Sequence, residues 1–277
     1  MKKSIFFVNV YGCPDVSGDL DKMFILMNEI GASGLQLHIT ELMNLDAEKF
    51  KTLLKENGAS VECVHVTPRL LSEDDEIFES AVKECEKAIS DIAPFGCKRL
   101  MVAPFTPDDV KDRTKSRERF AKALGIIVEK AKEYGISVVI ENISQQILPF
   151  SSIEDIEYLL DSVEGLKFCF DTGNFVCTKY DSATVYEKLK DRIDMVHVKD
   201  FGVCTEGGFE CDSGIRVEHV DFGKGGAKLC EVLTLLYKNS PHVPYVVEVH
   251  NEKPPREDVV DACRFCDKLW ETCKNDI

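Results

Sequence analysis

The sequence contains no long hydrophobic run. Apolar residues make up 44% of its 277 residues, yet no stretch approaches the roughly 18 apolar residues in succession that a membrane-spanning helix needs. The apolar patch near the start, residues 4–10, is short and contains the polar Asn9, which disfavours an export signal. Most of the 12 cysteines lie within apolar runs, as reduced, buried thiols do. We therefore expect a cytoplasmic protein that does not enter a membrane.

Basic residues are scarce relative to acidic ones. The chain has 34 Lys and Arg against 49 Asp and Glu, which gives a formal net charge of −15 at pH 7. A strongly acidic surface repels the phosphates of nucleic acids and of anionic lipids. The sequence therefore predicts neither nucleic acid nor membrane as a partner.

A glycine-rich phosphate loop is also missing. The residues after the first apolar run read "VNVYGCPDVSG", without the G-x-G-x-x-G that a doubly wound open sheet usually carries there. Eight apolar, β-rich runs instead alternate with amphipathic segments, which predicts right-handed crossovers and a parallel sheet. Eight repeats in a chain of this length indicate an α/β fold, a single (β/α)₈ TIM-barrel domain over residues 1–277. The predicted strands are 4–10, 34–39, 60–66, 98–104, 136–142, 166–171, 194–200 and 245–250.

Ionisable side chains stand at the ends of the last four predicted strands. They are Glu141 in "VVIEN", Asp171 in "FCFDTGN", His197 in "MVHVKD" and Glu248 in "VVEVH". One strand-end carboxylate is often a helix cap or an ion-pair partner, but four equivalent positions converge on the mouth of a barrel. Three carboxylates there need a counter-charge, and this ligand set suits Mn²⁺, Zn²⁺ or Co²⁺. We predict one divalent metal ion bound by these four residues.

The same residues carry a family resemblance. Their order, with "DTGN", "HVKD" and "VDFGKGG", resembles the metal site of the xylose isomerase-like barrel superfamily over essentially the whole chain. That superfamily includes sugar and sugar-phosphate isomerases and epimerases, inosose and dehydroshikimate dehydratases, and zinc apurinic endonucleases. The endonuclease branch uses three zinc ions and additional histidines. Here the fourth run ends "APF", and Asn174 stands where that branch has histidine, so the resemblance argues against a nuclease.

The remaining branch implies an isomerase or epimerase of a small keto- or aldo-sugar or sugar phosphate. Proton transfer would pass through a metal-bound enediolate, with Glu141 and Glu248 as the catalytic bases and Asp171 and His197 as ligands only. Two alternatives stay open. A metal-dependent dehydratase of the inosose or dehydroshikimate type shares the first proton abstraction. The other alternative is not an enzyme: a barrel of the same fold that binds sugar without catalysis.

Further residues are candidates for contact with this carbohydrate substrate. Three of them have a purely structural alternative. His65 could be a buried histidine with its hydrogen bonds satisfied, Lys199 could pair with the carboxylates, and Arg216 could be a solvated arginine. Backbone N–H groups of "FGKGG", residues 222–226 in the long connection 201–226, are a further candidate site for an anion. The outer helices of such barrels can pair, which leaves a homodimer open. The predicted substrate-binding residues are His65, Asn174, Lys199 and Arg216.

Overall fold

A computed structural model describes residues 1–178, 180–249 and 253–275 of the chain. Eight parallel strands close into a barrel, and a separate three-stranded sheet follows the seventh barrel strand. The barrel strands are β1 (Lys3–Phe6), β2 (Gly34–His38), β3 (Ser60–Val66), β4 (Arg99–Val102), β5 (Ser137–Glu141), β6 (Lys167–Asp171), β7 (Ile193–Val198) and β11 (Tyr245–Val247). The small sheet contains β8 (Phe201–Val203), β9 (Phe209–Glu210) and β10 (Arg216–His219).

The barrel closes because β1 pairs in parallel with both β2 and β11. The strand order around it is β1, β11, β7, β6, β5, β4, β3, β2. The predicted (β/α)₈ fold is thus confirmed.

Helices cover the outside of the barrel. Aspartate or serine side chains at the starts of six of them accept hydrogen bonds from the first backbone N–H groups, which is the usual way to cap a helix N-terminus. No helix in the described ranges is both long and apolar enough to cross a membrane. The helices are α1 (Phe7–Tyr11), α2 (Leu20–Glu29), α3 (Ile39–Met43), α4 (Ala47–Glu56), α5 (Asp75–Ile92), α6 (Arg113–Lys132), α7 (Ile153–Ser162), α8 (Asn174–Thr178), α9 (Ser182–Leu189), α10 (Leu229–Asn239) and α11 (Arg256–Asn275).

The interior of the barrel is filled by apolar side chains. They come from consecutive strands around the ring and are at most 2% exposed, with the half-buried Phe6 packed against them. In such a filled interior, polar side chains concentrate toward the strand ends, where the sites of this fold lie. All twelve cysteines are free, and all but Cys204 and Cys230 are buried, as expected for reduced thiols. The interior residues are Cys63, Met101, Val139, Cys169, Met195 and Val246.

The first strand is shorter than predicted. The run 4–10 was expected to be one strand, but β1 ends at Phe6 and α1 begins at Phe7. The cause is a long-range contact: the buried Asn9 side chain donates to the Val249 carbonyl at 2.7 Å and accepts from the Val249 N–H at 2.9 Å. A short apolar run does not by itself distinguish a strand from a helix. At the other end of the chain, His250 of the predicted run 245–250 lies outside the described residues.

A charged network lies at the N-terminal ends of the strands. Arg99 Nε is 2.6 Å from Asp194 Oδ2, and Arg99 Nη1 is 3.3 Å from Glu62 Oε2. Glu62 also accepts from Lys2 and from Ser60. This end of the barrel is therefore closed by paired charges, whereas the opposite end carries the candidate site.

Candidate metal centre and active site

The four side chains predicted to bind a metal lie together at the C-terminal mouth of the barrel. Glu141 ends β5, Asp171 ends β6, His197 lies near the end of β7, and Glu248 directly follows β11. Asp171 and His197 are register partners in adjacent strands. One potential ligand atom from each of the four residues lies within 4.8 Å of all the others. The predicted convergence is therefore present in the structure.

The cluster has a deep side and an open side. The side chains of Asp171 and His197 are 0% and 1% exposed, whereas those of Glu141 and Glu248 are 18% and 24% exposed. Of these four side chains, the two glutamates are therefore the ones that can face both the cluster and a molecule in the mouth.

His197 presents Nδ1 to the carboxylates. This nitrogen lies 2.7 Å from Glu141 Oε1, 3.6 Å from Glu248 Oε2 and 3.8 Å from Asp171 Oδ2. The other ring nitrogen, Nε2, is 2.8 Å from Oε1 of the fully buried Gln36 on β2. An amide oxygen can only accept, so Nε2 carries the hydrogen, and Nδ1 of the neutral ring has its lone pair toward the carboxylates.

Gln36 was missed by the sequence analysis. The available signal was a single amide inside the apolar run "GLQLHI", where a buried polar side chain needs a partner.

The pKa values in the cluster are shifted because three carboxylates lie close together in a buried place. Burial raises the pKa of Asp171 well above its usual range, and the negative charges of Glu141 and Glu248 add to this. Burial acts on Glu141 in the same direction, but the charge and hydrogen bond of His197 hold its pKa at about 2. Burial lowers the pKa of His197, and Glu141, Glu248 and Asp171 together more than reverse this, so the net shift is upward. The metal-free cluster thus retains protons that a divalent cation would displace.

The donor set fits a divalent cation. Asp171 Oδ2 is buried and, within the described ranges, makes an ion pair with Lys199 at 3.1 Å but no hydrogen bond. An imidazole nitrogen with a free lone pair faces the same space when the His197 ring is neutral. Three carboxylates and one imidazole suit Mn²⁺, Zn²⁺ or Co²⁺ without selecting one of them.

Asp171 is held in place by two asparagines. Asn142 Oδ1 accepts from the Asp171 N–H at 2.8 Å, and Asn142 Nδ2 donates to the Asp171 carbonyl at 3.1 Å. The Asn174 N–H donates to Asp171 Oδ1 at 2.7 Å, and the buried Asn174 side chain donates to the Asn142 carbonyl at 2.9 Å. Asn174 therefore supports a cluster residue, and its predicted contact with substrate stays a prediction.

Lys199 is part of the cluster. Its Nζ lies 3.0 Å from Glu248 Oε1 and 3.1 Å from Asp171 Oδ2, so the ion-pair alternative describes its contacts. Burial would lower the pKa of Lys199, but the surrounding carboxylates raise it well above its usual value. Direct contact of this ammonium group with substrate stays a prediction.

His65 lies beside the cluster rather than in it. Its ring is 6.0 Å from the Phe6 ring, which in turn is 5.0 Å from the His197 ring, and its Nδ1 is buried without a hydrogen-bond partner among the described residues. Burial lowers the pKa of His65 to about 3, so the imidazole is neutral at physiological pH. A neutral ring can offer one donor and one acceptor, and its predicted hydrogen bond to substrate stays a prediction.

Arg216 is engaged within the small sheet. Its guanidinium donates to the Gly207 carbonyl at 2.8 Å and to Glu210 Oε2 at 3.1 Å. Neither partner belongs to the cluster, and a substrate contact by Arg216 stays a prediction.

The "FGKGG" segment does not provide the expected anion site. The N–H groups of Gly223, Gly225 and Ala227 donate to the carboxylate of the buried Asp200, at 2.9, 3.0 and 3.2 Å. An internal carboxylate therefore occupies the donors that a phosphate would need. The segment folds around Asp200, directly after β7, because those N–H groups require an acceptor once buried.

Comparison with known proteins gives the family. A family model of xylose isomerase-like TIM barrels matches residues 24–269. The chain belongs to this family. No curated protein matches the chain in sequence.

Among solved structures, a D-tagatose 3-epimerase-like protein has a TM-score of 0.79 at 18% identity, covering 100% of this chain and 99% of its own. The 3-keto-D-glucoside 4-epimerase of E. coli has a TM-score of 0.75 at 16% identity, covering 97% of this chain and 99% of its own. The probable 3-DHS dehydratase of Bacillus anthracis has a TM-score of 0.73 at 15% identity, with the same coverage of 97% and 99%. At these identities the likeness concerns the fold.

In this xylose isomerase-like barrel, the mouth combines a potential ion site with two partly open carboxylates. Both glutamates lie near the same imidazole nitrogen, at 2.7 and 3.6 Å, so a small molecule above the cluster would be within reach of both. Such an arrangement can take a proton from one carbon and return a proton to the same or the adjacent carbon.

Proposed function

We propose that this protein is a divalent-metal-dependent isomerase or epimerase of a small keto- or aldo-sugar. The observation that carries the proposal is the pair of partly open glutamates, Glu141 and Glu248, beside the fully buried Asp171 and His197. Sugar epimerases among the structural neighbours support it, as does membership of the family.

Glu141, Asp171, His197 and Glu248 would hold the ion. When bound, the ion would act as a Lewis acid that polarises the carbonyl group of the sugar. Asp171 and His197 would contribute only to holding it, because their side chains are closed off from the mouth. The asparagines around Asp171 and the Gln36 contact to His197 would orient these two ligands.

The two glutamates would move the protons. One carboxylate takes the proton from the carbon next to the carbonyl. The electron pair of that C–H bond forms a C=C bond, and the π pair of the carbonyl moves onto its oxygen to give an enediolate. The other carboxylate, acting as an acid, returns a proton to the opposite face of the same carbon, which inverts it, or to the neighbouring carbon, which moves the carbonyl. Glu141 is ionised at neutral pH, because the charge and hydrogen bond of His197 hold its pKa at about 2.

A dehydratase is the second candidate. The likeness to the probable 3-DHS dehydratase, at a TM-score of 0.73, is close to that of the epimerases. The same proton abstraction would then be followed by loss of a β-hydroxyl as water. The products separate the two candidates: an isomer or epimer keeps the mass of its substrate, and a dehydration product is lighter by one water.

The test begins with elemental analysis of the purified protein, beside an Asp171→Ala, His197→Ala double variant. We expect about one divalent ion per chain in the wild type and loss of that ion in the variant. Ketoses are then incubated with the ion-loaded protein in D₂O, and deuterium at carbon is measured by mass spectrometry. Absence of a bound ion, even after incubation with Mn²⁺ or Zn²⁺, would contradict the metal site, and turnover without deuterium at carbon would contradict proton transfer.

A further inference from the structure

A cleft leads away from the cluster between a loop and the last helix. Its volume is about 450 Å³, which lies in the range of about 300–1,000 Å³ typical of small-molecule sites. Lys199 and Glu248 form its inner end, residues 219–222 form one wall, and α11 forms the other. A ligand whose reacting part lies at the two glutamates can therefore extend into this cleft.

The cleft is lined mainly by negative charge. Its walls contain five carboxylate residues against three cationic ones. Lys199 is paired with Asp171 and Glu248, and Arg264 Nη1 lies 2.6 Å from Asp261 Oδ1. Lys268 is the lining cation without a carboxylate partner within the described ranges. An anionic group entering the cleft would thus meet net repulsion. The lining carboxylates are Asp200, Asp221, Glu248, Asp258 and Asp261.

The surroundings offer little else to a phosphate. The glycine-rich segment beside the cleft has its N–H groups on Asp200, and Lys224 is paired with Asp221 at 2.6 Å. Lys228 is paired with Asp181 at 2.5 Å. These pairs lie at the loop that would otherwise be the natural anion site at this end of the barrel.

Two aromatic rings lie in the cleft. The rings of Phe222, in the loop, and Phe265, on α11, are 6.2 Å apart and nearly perpendicular, at 84°. A Cβ on Gly223 would come within 2.5 Å of the Phe265 ring, so the loop packs directly on this ring and fixes it. Both phenylalanines are only half-buried, which leaves apolar surface facing the cleft. Aromatic surface flanked by a few polar groups suits the C–H faces and hydroxyls of a sugar ring.

We propose that the cleft binds a second, uncharged sugar ring attached to the reacting sugar. The substrate class would then be a neutral glycosylated keto-sugar rather than a sugar phosphate. This inference rests on the proposed function, because it places the reacting sugar at Glu141 and Glu248. Phe222 and Phe265 would contact the second ring, and the carboxylates of the cleft would accept hydrogen bonds from its hydroxyls.

The test compares sugars that differ only in what is attached. D-fructose, D-fructose 6-phosphate and isomaltulose form a matched series, since isomaltulose has a glucosyl group on the oxygen that is phosphorylated in the second sugar. D-tagatose and lactulose extend the series to another free ketose and another attachment point. Binding to the Zn²⁺-loaded protein is measured by calorimetry, and deuterium uptake in D₂O is measured in parallel. We expect at least one disaccharide to bind about tenfold more tightly than free fructose, and fructose 6-phosphate to bind more weakly than fructose.

A Phe222→Ala variant tests the second ring directly. We expect it to reduce the ratio of disaccharide affinity to fructose affinity by about tenfold, whereas Tyr134→Ala, which removes an exposed aromatic in the turn after α6, leaves this ratio unchanged. Tightest binding by fructose 6-phosphate, or an unchanged ratio in Phe222→Ala, would overturn the inference. Turnover of free ketoses without preference for a disaccharide would also overturn it but leave the proposed function standing. If none of the five sugars binds, the inference fails together with the keto-sugar part of the proposed function.

Discussion

Gln36 Oε1 lies 2.8 Å from His197 Nε2, and this contact determines which nitrogen of the imidazole faces the carboxylates. Gln36 is fully buried in the middle of β2, and the Nε2 of its amide contacts Met101 Sδ weakly, at 3.8 Å. The oxygen of Gln36 is therefore the acceptor that keeps the hydrogen on Nε2 of His197 and leaves Nδ1 of His197 free for an ion.

Replacing Gln36 is expected to weaken metal binding without removing a ligand. In Gln36→Met the shape of the side chain is nearly kept, but the acceptor oxygen is lost, so His197 can rotate or change tautomer. We expect the affinity for Zn²⁺ to fall by about 10- to 100-fold, measured by competition with a chelator. Met101→Leu is the matched control, because it changes the same packing without touching the hydrogen bond. An equal loss in both variants would show that packing, and not the hydrogen bond, is responsible.

Metal binding is expected to weaken as the pH falls. In the metal-free protein burial lowers the pKa of His197, but Glu141, Glu248 and Asp171 raise it overall, and burial raises the pKa of Asp171. Both groups therefore keep their protons to a higher pH than free side chains do, and an ion must displace those protons. Below these raised pKa values, affinity should fall by about tenfold per pH unit for each displaced proton. Zn²⁺ titration in buffers of different ionisation enthalpy, at pH 6 and pH 8, measures the protons released. Binding without proton release at pH 6 would contradict the protonation described here.

Much of the site follows from local sequence, and the reason is geometric. Glu141, Asp171, His197 and Glu248 stand at the ends of apolar runs, and parallel strands in a barrel bring those ends to one place. The role of Gln36 depends on how β2 and β7, which are not neighbours, are brought together by the closed ring. That information is absent from any local window, because Gln36 and His197 are 161 residues apart.

Two regions show where periodicity carries too little information. The small sheet β8–β10 is made of strands of two to four residues, too short for an alternating pattern, so residues 201–226 were predicted only as a long connection. The run 4–10 was wrongly predicted to be one strand, because the contact between Asn9 and Val249 that ends it spans 240 residues. In both cases tertiary contacts determine the local structure.

Isotope exchange is expected to distinguish the proton-transfer roles of the two glutamates. In Glu141→Gln and Glu248→Gln, turnover should fall by about 10²- to 10⁴-fold, because each variant lacks one proton-transferring group. If each carboxylate serves one face, one variant should still exchange the substrate hydrogen for deuterium while forming no product. Elemental analysis of both variants separates loss of the ion from loss of the base.

Glu129→Gln is the matched control for these variants, since Glu129 forms an exposed ion pair with Lys132 on α6, and it should turn over like the wild type. Full turnover in both Glu141→Gln and Glu248→Gln, with the ion bound, would contradict the two-base mechanism.

The charged network at the N-terminal ends of the barrel strands is expected to stabilise the folded protein. Arg99 is 13% exposed and pairs with Asp194 at 2.6 Å and with Glu62 at 3.3 Å. Arg99→Met leaves Glu62, 7% exposed, with Lys2 as its remaining cation. Removing one partner of a buried pair typically costs about 3–5 kcal/mol, and because Lys2 remains we expect a loss of about 2 kcal/mol in the free energy of unfolding. Urea unfolding at pH 7 measures it.

The stability difference between wild type and Arg99→Met is expected to depend on pH. Burial would raise the pKa of Glu62, but hydrogen bonds from Lys2 and Ser60 and the charge of Arg99 hold it below the ordinary value of 4.5. The stability that Glu62 contributes is therefore present above pH 4.5 and is lost as the pH falls through its lowered pKa in the folded protein. The difference between wild type and Arg99→Met should accordingly shrink in acid. Lys190→Met, which removes a surface pair with Glu187, should change stability by less than about 0.5 kcal/mol at either pH. A loss in Arg99→Met no larger than in this control would show that the network contributes no more than surface charge does.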